Sequence, residues 1–299
     1  MSAQNFLRST TMLSSFVGAS FIAVMAAQAA DMPVKAPYAP PPSLPAVSGT
    51  NYNLSVFGGY ARVSDFGAGL RASGGVLGVG GTVVTPLAYS YGLKLSGLAG
   101  IWDGDGFFSG AAHLFWRDPA IGLLGLYGSY TRTKSSVDTD IGRLGIEYQR
   151  YLGQYSVEGQ IGVEGGDIDT RLYSRLGIGY YLNDNLKLTI GHRYTNHRHL
   201  LALGAESLLR TYDNSNALSG FVEGRVGSDY GMVWAGFRMY FGGGDKSLIR
   251  RHREDDPGNA TTDAADDLWK RTVPSSAPTP QCPSGEVFDP EDGCVPDVT

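Results

Sequence analysis

The sequence predicts an all-β fold, a closed antiparallel barrel of about twelve strands, with ten and fourteen as the neighbouring even counts. Three observations predict it. Short runs alternate apolar and polar residues with a period of two rather than 3.6. The composition is 42% hydrophobic but only 18% charged, with 42 Gly and 17 Tyr. And beyond the N-terminal leader no stretch reaches eighteen consecutive apolar residues, so membrane-spanning helices are not available to this chain.

The chain opens with Arg8, an apolar run rich in Leu, Phe, Val and Ala, and then Ala27-Gln28-Ala29. This is the pattern of an export leader over residues 1–29, cleaved after Ala29. Residues 30–50 carry Pro at 33, 37, 40, 41, 42 and 45 and read as an extended linker. The mild acidity, a formal charge of −5, argues against nucleic acid as a partner.

The barrel is expected over 51–242, with strands near 52–62, 75–85, 89–101, 107–117, 123–132, 141–151, 155–165, 172–182, 186–196, 199–209, 217–226 and 232–241. The clearest pair is a hairpin. Leu172, Ser174, Leu176, Ile178, Tyr180 and Leu182 alternate with Tyr173, Arg175, Gly177, Gly179 and Tyr181, then Asn183-Asp184-Asn185 turns the chain into Leu186, Leu188 and Ile190. The segment from His199 to Leu209 would also fit a helix. It is assigned as a strand because Leu201, Leu203, Ala205 and Leu209 alternate with Gly204 and Glu206, and because it keeps the count even. The remaining residues, 243–299, form an acidic, Thr-, Ala- and Pro-rich tail expected to be mostly disordered. Cys282 and Cys294, the only cysteines, are expected to close a small disulfide loop within it.

Period two does not say which face is inside. Twelve strands enclose more than an eight-stranded barrel, whose interior side chains just fill, so a dry apolar filling is disfavoured. The polar face mixes charges with Gly145, Gly162, Gly177, Gly179 and Gly191, which suits a crowded interior. Trp116, Tyr130, Tyr148, Tyr155, Tyr180 and Tyr194 fall near strand ends on the apolar face, where interfacial rings form girdles. The apolar face is therefore expected to meet lipid, making this a transmembrane barrel. Arg150 and His192 fall on that face, each near a strand end.

The stretch from Ala30 to Pro37 with its proline tract, followed by Gly-rich alternating strands, resembles the small porin-like outer-membrane β-barrel proteins of alphaproteobacteria. Val233-Trp234-Ala235-Gly236-Phe237-Arg238-Met239-Tyr240-Phe241 looks like the closing strand of such a barrel. The resemblance implies recognition by the barrel-assembly machinery and an outer-membrane location. The chain departs from the pattern by continuing past Phe241. Both termini are expected on the periplasmic side.

On this register the inward face carries Lys94, Arg143, Arg175, Lys187, Arg193, Arg225 and Arg238 against Glu147, Glu158, Glu164, Glu206 and Glu223. Seven bases against five acids suggest a narrow, weakly selective diffusion channel for small polar solutes or ions, with a slight anion bias. The alternatives are a structural or envelope-anchoring barrel with a plugged lumen, and a soluble periplasmic ligand-binding barrel. Outer-membrane lipid is the expected partner, with peptidoglycan or a periplasmic protein reached through the tail.

Other motifs read as ordinary structure. His197 and His199 share a strand face at a hairpin tip but lack further ligands for a metal. Asp103-Gly104-Asp105-Gly106 and Asp289-Pro290-Glu291-Asp292-Gly293 read as turns. Arg250-Arg251-His252-Arg253 reads as a solvated linker. No Gly-x-Ser-x-Gly elbow or His-Glu-x-x-His helix is present, so neither catalysis nor a cofactor is expected.

Overall fold

The computed structural model describes residues 44–64, 72–134, 138–212, 215–258, 262–268 and 270, and the backbone of a hairpin at 286–289 and 293–296. The leader lies outside the described residues. So does the Cys282–Cys294 bridge, since Cys282 is not among them; Cys294 has backbone placement alone, opposite Phe288 in the hairpin.

Twelve antiparallel strands close into one barrel. They are β1 (Asn51–Val63), β2 (Ala72–Ala88), β3 (Tyr91–Trp102), β4 (Asp105–Asp118), β5 (Gly122–Thr133), β6 (Thr139–Leu152), β7 (Tyr155–Gly166), β8 (Arg171–Asn183), β9 (Leu186–Thr195), β10 (Arg198–Thr211), β11 (Ala217–Val226) and β12 (Tyr230–Phe241). Each strand pairs with its neighbours in sequence. Closure comes from β1 against β12, from Tyr52 opposite Phe241 to Val63 opposite Tyr230. No edge is left unpaired, which a barrel achieves by construction.

Local chemistry sets the turns. Asp103 and Gly104 both take positive φ, 53° and 86°, the left-handed pair that matches strand twist in a two-residue hairpin. Between β8 and β9 the Asn183 side chain accepts a hydrogen bond from the Asn185 amide at 2.9 Å. The 199–209 segment is a strand, with an irregularity between Leu208 and Arg210. β2 runs longer than the expected 75–85, and its ladder slips between Pro86 and Ala88, where proline has no amide to donate.

The two faces differ in kind. Leu54, Leu77, Leu95, Leu126, Leu144, Ile146, Ile161, Leu176, Ile190 and Val233 stand outward and exposed, Leu144 at 65%. Aromatic rings ring this band at both ends: Tyr52, Tyr89, Tyr91, Trp116, Tyr148 and Tyr155 toward the end where β1 begins, and Tyr60, Phe108 and Tyr130 toward the other. Inside, charged and hydroxyl side chains are buried. Two glycines make room for them: a Cβ on Gly162 would sit 2.1 Å from the Leu144 carbonyl oxygen, and one on Gly145 would sit 2.7 Å from the Tyr173 hydroxyl. The bare backbone there lets the Tyr173 ring lie against the wall.

Part of the chain on either side of the barrel packs against it. Ala46 and Val47, at the end of the proline-rich linker, are buried at the mouth where β1 begins; Val47 packs with Val84, Phe115 and Leu123, and the Ala46 amide bonds to the Tyr89 carbonyl at 2.7 Å. After Phe241 the chain turns into the barrel. A short helix α1 (Leu248–Arg250) continues into a π-helical turn (Arg251–Asp255), and a second helix, α2 (Ala264–Asp267), sits deeper. Residues 243–258, 262–268 and 270 are thus an ordered insert, held by charges that the strands supply.

Candidate functional site

The mouth where the barrel strands begin and end is closed by the first part of the insert. Leu248 is fully buried with Ala217 and Tyr240. Arg251, read from sequence as part of a solvated run, is 2% exposed because it donates to four carbonyls, those of Ser215, Gly242, Gly244 and Lys246. His252 is also buried, against the hydroxyls of Tyr181 at 2.9 Å and Tyr240 at 3.3 Å. Burial lowers its imidazole pKa, although Glu206, 3.6 Å away, pulls the other way. Arg253 donates to the carbonyls of Gly153 and Tyr155, and only Arg250 of the run remains well exposed. From the wall, Arg117 donates to the carbonyls of Ala46 and Asp255.

Further in, Lys94 lies 3.0 Å from Asp256 and donates to the Pro257 carbonyl at 2.9 Å, while the Asn53 amide donates to Asp256 at 2.6 Å. Lys187 donates to the Gly258 carbonyl at 2.8 Å. Three aspartates follow. Asp263 accepts from the hydroxyls of Tyr127 and Ser129 and meets Arg175. Asp266 accepts from Arg225 at 2.6 Å and Arg175 at 3.0 Å, with Arg193 at 3.7 Å. Asp267 accepts from the two terminal guanidinium nitrogens of Arg143, at 2.7 and 2.5 Å. Lys270 bridges Asp267 at 2.9 Å and Glu164 at 3.2 Å, and Glu164 also takes Arg143 at 2.8 Å.

The electrostatics follow from this geometry. Burial alone would raise the carboxyl pKa of Asp266, but Arg225, Arg175 and Arg193 outweigh it and hold the group well below the usual carboxylate range. Asp267 is likewise lowered, burial being overcome by Arg143 and Lys270. Both are therefore anions facing cations of the wall.

All twelve wall residues named from sequence lie on the inner side. Lys94, Arg143, Arg175, Lys187, Arg193 and Arg225 bond to or approach the insert directly, as does Glu164 through Lys270. Arg238 and Glu206 pair with one another at 2.9 Å beside His252. Glu147 instead meets His113 on the wall at 2.9 Å, and Glu223 lies 3.6 Å from its near neighbour Arg225. Glu158 borders the space the insert leaves: one cavity of about 130 Å³, lined also by Lys187, Arg193, Glu223, Phe221 and Trp234, and a smaller one of about 30 Å³ beside His113.

Sequence reasoning missed Asp255, Asp256, Asp263, Asp266, Asp267 and Lys270 as lumen groups. A signal was present: the wall has more bases than acids, and the only dense run of aspartates lies just beyond the last strand. His197 and His199 are not brought together. His199 pairs with His192 at 2.9 Å on the outer face, whereas His197 leans toward Tyr194; among the described residues no three His, Cys, Asp or Glu side chains are grouped to hold a metal.

No known protein family matches the chain, and no curated protein does. Solved structures that resemble it are barrels. The translocator domain of the autotransporter NalP from Neisseria meningitidis aligns with a TM-score of 0.48 at 11% identity, over 65% of this chain and 88% of that one. An outer membrane channel from Pseudomonas putida F1 gives 0.46 at 12%, over 67% and 98%, and the KdgM porin gives 0.44 at 11%, over 62% and 97%. Likeness at this level bears on neither activity nor solute.

Proposed function

We propose that this chain is an outer-membrane β-barrel whose lumen is closed by its own C-terminal segment, and that it passes small polar solutes or ions when that segment is displaced. The membrane reading is supported by the outer face: an aliphatic band between two aromatic belts, on strands of 10–17 residues that are long enough to cross a bilayer at a tilt. A soluble barrel would have to leave this whole face in water. The observation that carries the plug is the pairing of Asp263, Asp266 and Asp267 with Arg143, Arg175 and Arg225, charges contributed by three different strands and neutralised from within the lumen.

Removing the insert would leave the basic wall facing water, with the mild anion preference expected of its composition. Planar-bilayer recordings of the full chain and of a chain ending at Gly244 test this. The full chain should give rare or brief current steps and the shortened one sustained steps. A permanently closed scaffold is the second reading, favoured by how completely the insert fills the lumen. It predicts that the shortened chain either fails to assemble or is as silent as the full one.

A further inference from the structure

The insert is more than a stopper, because its contacts advance in one direction. The two rims can be told apart by strand direction. The first holds the start of β1, the end of β12 and the turn between β4 and β5; the second holds the end of β1, the start of β12 and the connection between Val63 and Ala72. Residues 248–255 are seated at the first rim. The Ile249 amide bonds to the Asp184 carbonyl in the β8–β9 turn, and Arg253 reaches the β6–β7 turn at Gly153. Asp256 follows at Asn53 and Lys94, two to three residues in from the starts of β1 and β3. Asp263 is at the middle of β5, on Tyr127 and Ser129.

The last described residues are at the second rim. The Tyr230 hydroxyl, from the first residue of β12, donates to the Ala265 carbonyl at 2.9 Å. Leu268 packs into a buried cluster with Val63, Trp102, Leu200 and Tyr230, all at strand ends on that side. Lys270 bonds to Thr195, the last residue of β9, and to Glu164, near the end of β7.

The chain has by then crossed the barrel. A return to the first rim would need another pass through the lumen, roughly ten residues of chain. A cavity of about 130 Å³ lies beside the insert, room for on the order of ten water molecules. We propose that the insert, by carrying the chain from the first rim to the second at Lys270, makes the barrel present its own C-terminus on the far side of the membrane. The hairpin of β13 (Glu286–Asp289) and β14 (Gly293–Pro296) is then presented on the face opposite the one where the barrel strands begin and end. This rests on the membrane-spanning reading above, and it departs from the expectation that both termini share one side.

The test compares sides within one molecule and so does not depend on which rim faces out. Epitopes are placed singly in the full chain after Thr299, in the Val63–Ala72 connection, and after Ala120 in the β4–β5 turn, and antibody binding is read on intact and on permeabilised cells. The C-terminal epitope should follow the Val63–Ala72 epitope and be opposite to the one at Ala120. If it follows the Ala120 epitope while the other two are on opposite sides, threading is wrong and the membrane reading stands. If the Val63–Ala72 and Ala120 epitopes are on the same side, the membrane reading fails and threading fails with it. As a check without insertion, Cys282→Ser leaves Cys294 as the sole thiol. With the second rim established as the outer one, a membrane-impermeant maleimide should label it as fully on intact cells as after permeabilisation. Labelling that appears only after permeabilisation overturns the proposal.

Discussion

Replacing Asp266 by Asn isolates the interaction that holds the insert in place. The carboxylate is 4% exposed and accepts from Arg225 at 2.6 Å and Arg175 at 3.0 Å, with Arg193 close by. Asparagine keeps the shape and one acceptor but removes the charge shared by three guanidiniums, of which Arg175 keeps Asp263 and Arg225 keeps Glu223. Breaking a buried pair from one side costs about 3–5 kcal/mol, because the partner charge stays buried and uncompensated. At about 1.4 kcal/mol per factor of ten, the population with the insert displaced should rise by roughly a hundredfold to a few thousandfold. The strands do not change, so assembly should not. Open probability in planar bilayers, measured beside heat-modifiable mobility as a control for the folded barrel, reads the effect. An open probability within a few-fold of the parent, in a barrel that assembles normally, would refute the assignment of Asp266 as a holding point.

Acid should also release the insert, and the sign follows from the direction of each shift. His252 has a lowered pKa in the docked state, so its contribution is intact above about pH 6.5, the ordinary imidazole value, and is lost as pH falls through the lower docked value. Asp266 and Asp267, also lowered, lose theirs only below about pH 3.9. Open probability should therefore climb in two stages on acidification; His252→Gln should abolish the first, and a curve unchanged by that substitution would exclude His252 as its source. In the chain ending at Gly244, where Arg175 and Arg193 no longer meet the insert, changing both to Glu should move the reversal potential toward cation preference. An unmoved potential would mean that these side chains do not face the conducting path.

The barrel was legible because every strand repeats the same rule locally. A run of ten residues with Leu176, Ile178 and Tyr180 against Arg175, Gly177 and Gly179 declares its two faces without help from elsewhere. The errors are confined to ends, such as β2, where the pattern does not mark how far pairing continues past Pro86. The insert obeys no such rule. Asp263 to Asp267 has the composition of a disordered tail, few apolar groups and many charges, and on its own it could not offset the entropy of ordering. Its order comes from partners remote in sequence: Arg143, which meets Asp267, is 124 residues away. The basic run at 250–253 misled for the same reason, since Arg251 is buried by carbonyls that only the barrel rim brings together.

The chemistry of the insert also bears on whether closure is permanent. An apolar plug in an apolar pocket would gain on the order of 25 cal/mol for each Å² taken from water, and leaving would be costly throughout. Here the contacts are mainly ion pairs, for which the desolvation of both partners nearly cancels the attraction between them. When the insert leaves a lumen that fills with water, Arg143, Arg175 and Arg225 regain hydration on one side and Asp263, Asp266 and Asp267 on the other. The net cost of release is then a small difference between large quantities, while the cost of losing one charge alone is large. Such a contact would be specific in register yet reversible, as the proposed gate requires and a scaffold does not. The apolar residues of the insert sharpen the point: Leu248 anchors it at one rim and Leu268 at the other, with charge between. Movement of the charged stretch between two apolar anchors would open the lumen without expelling the chain that threads it.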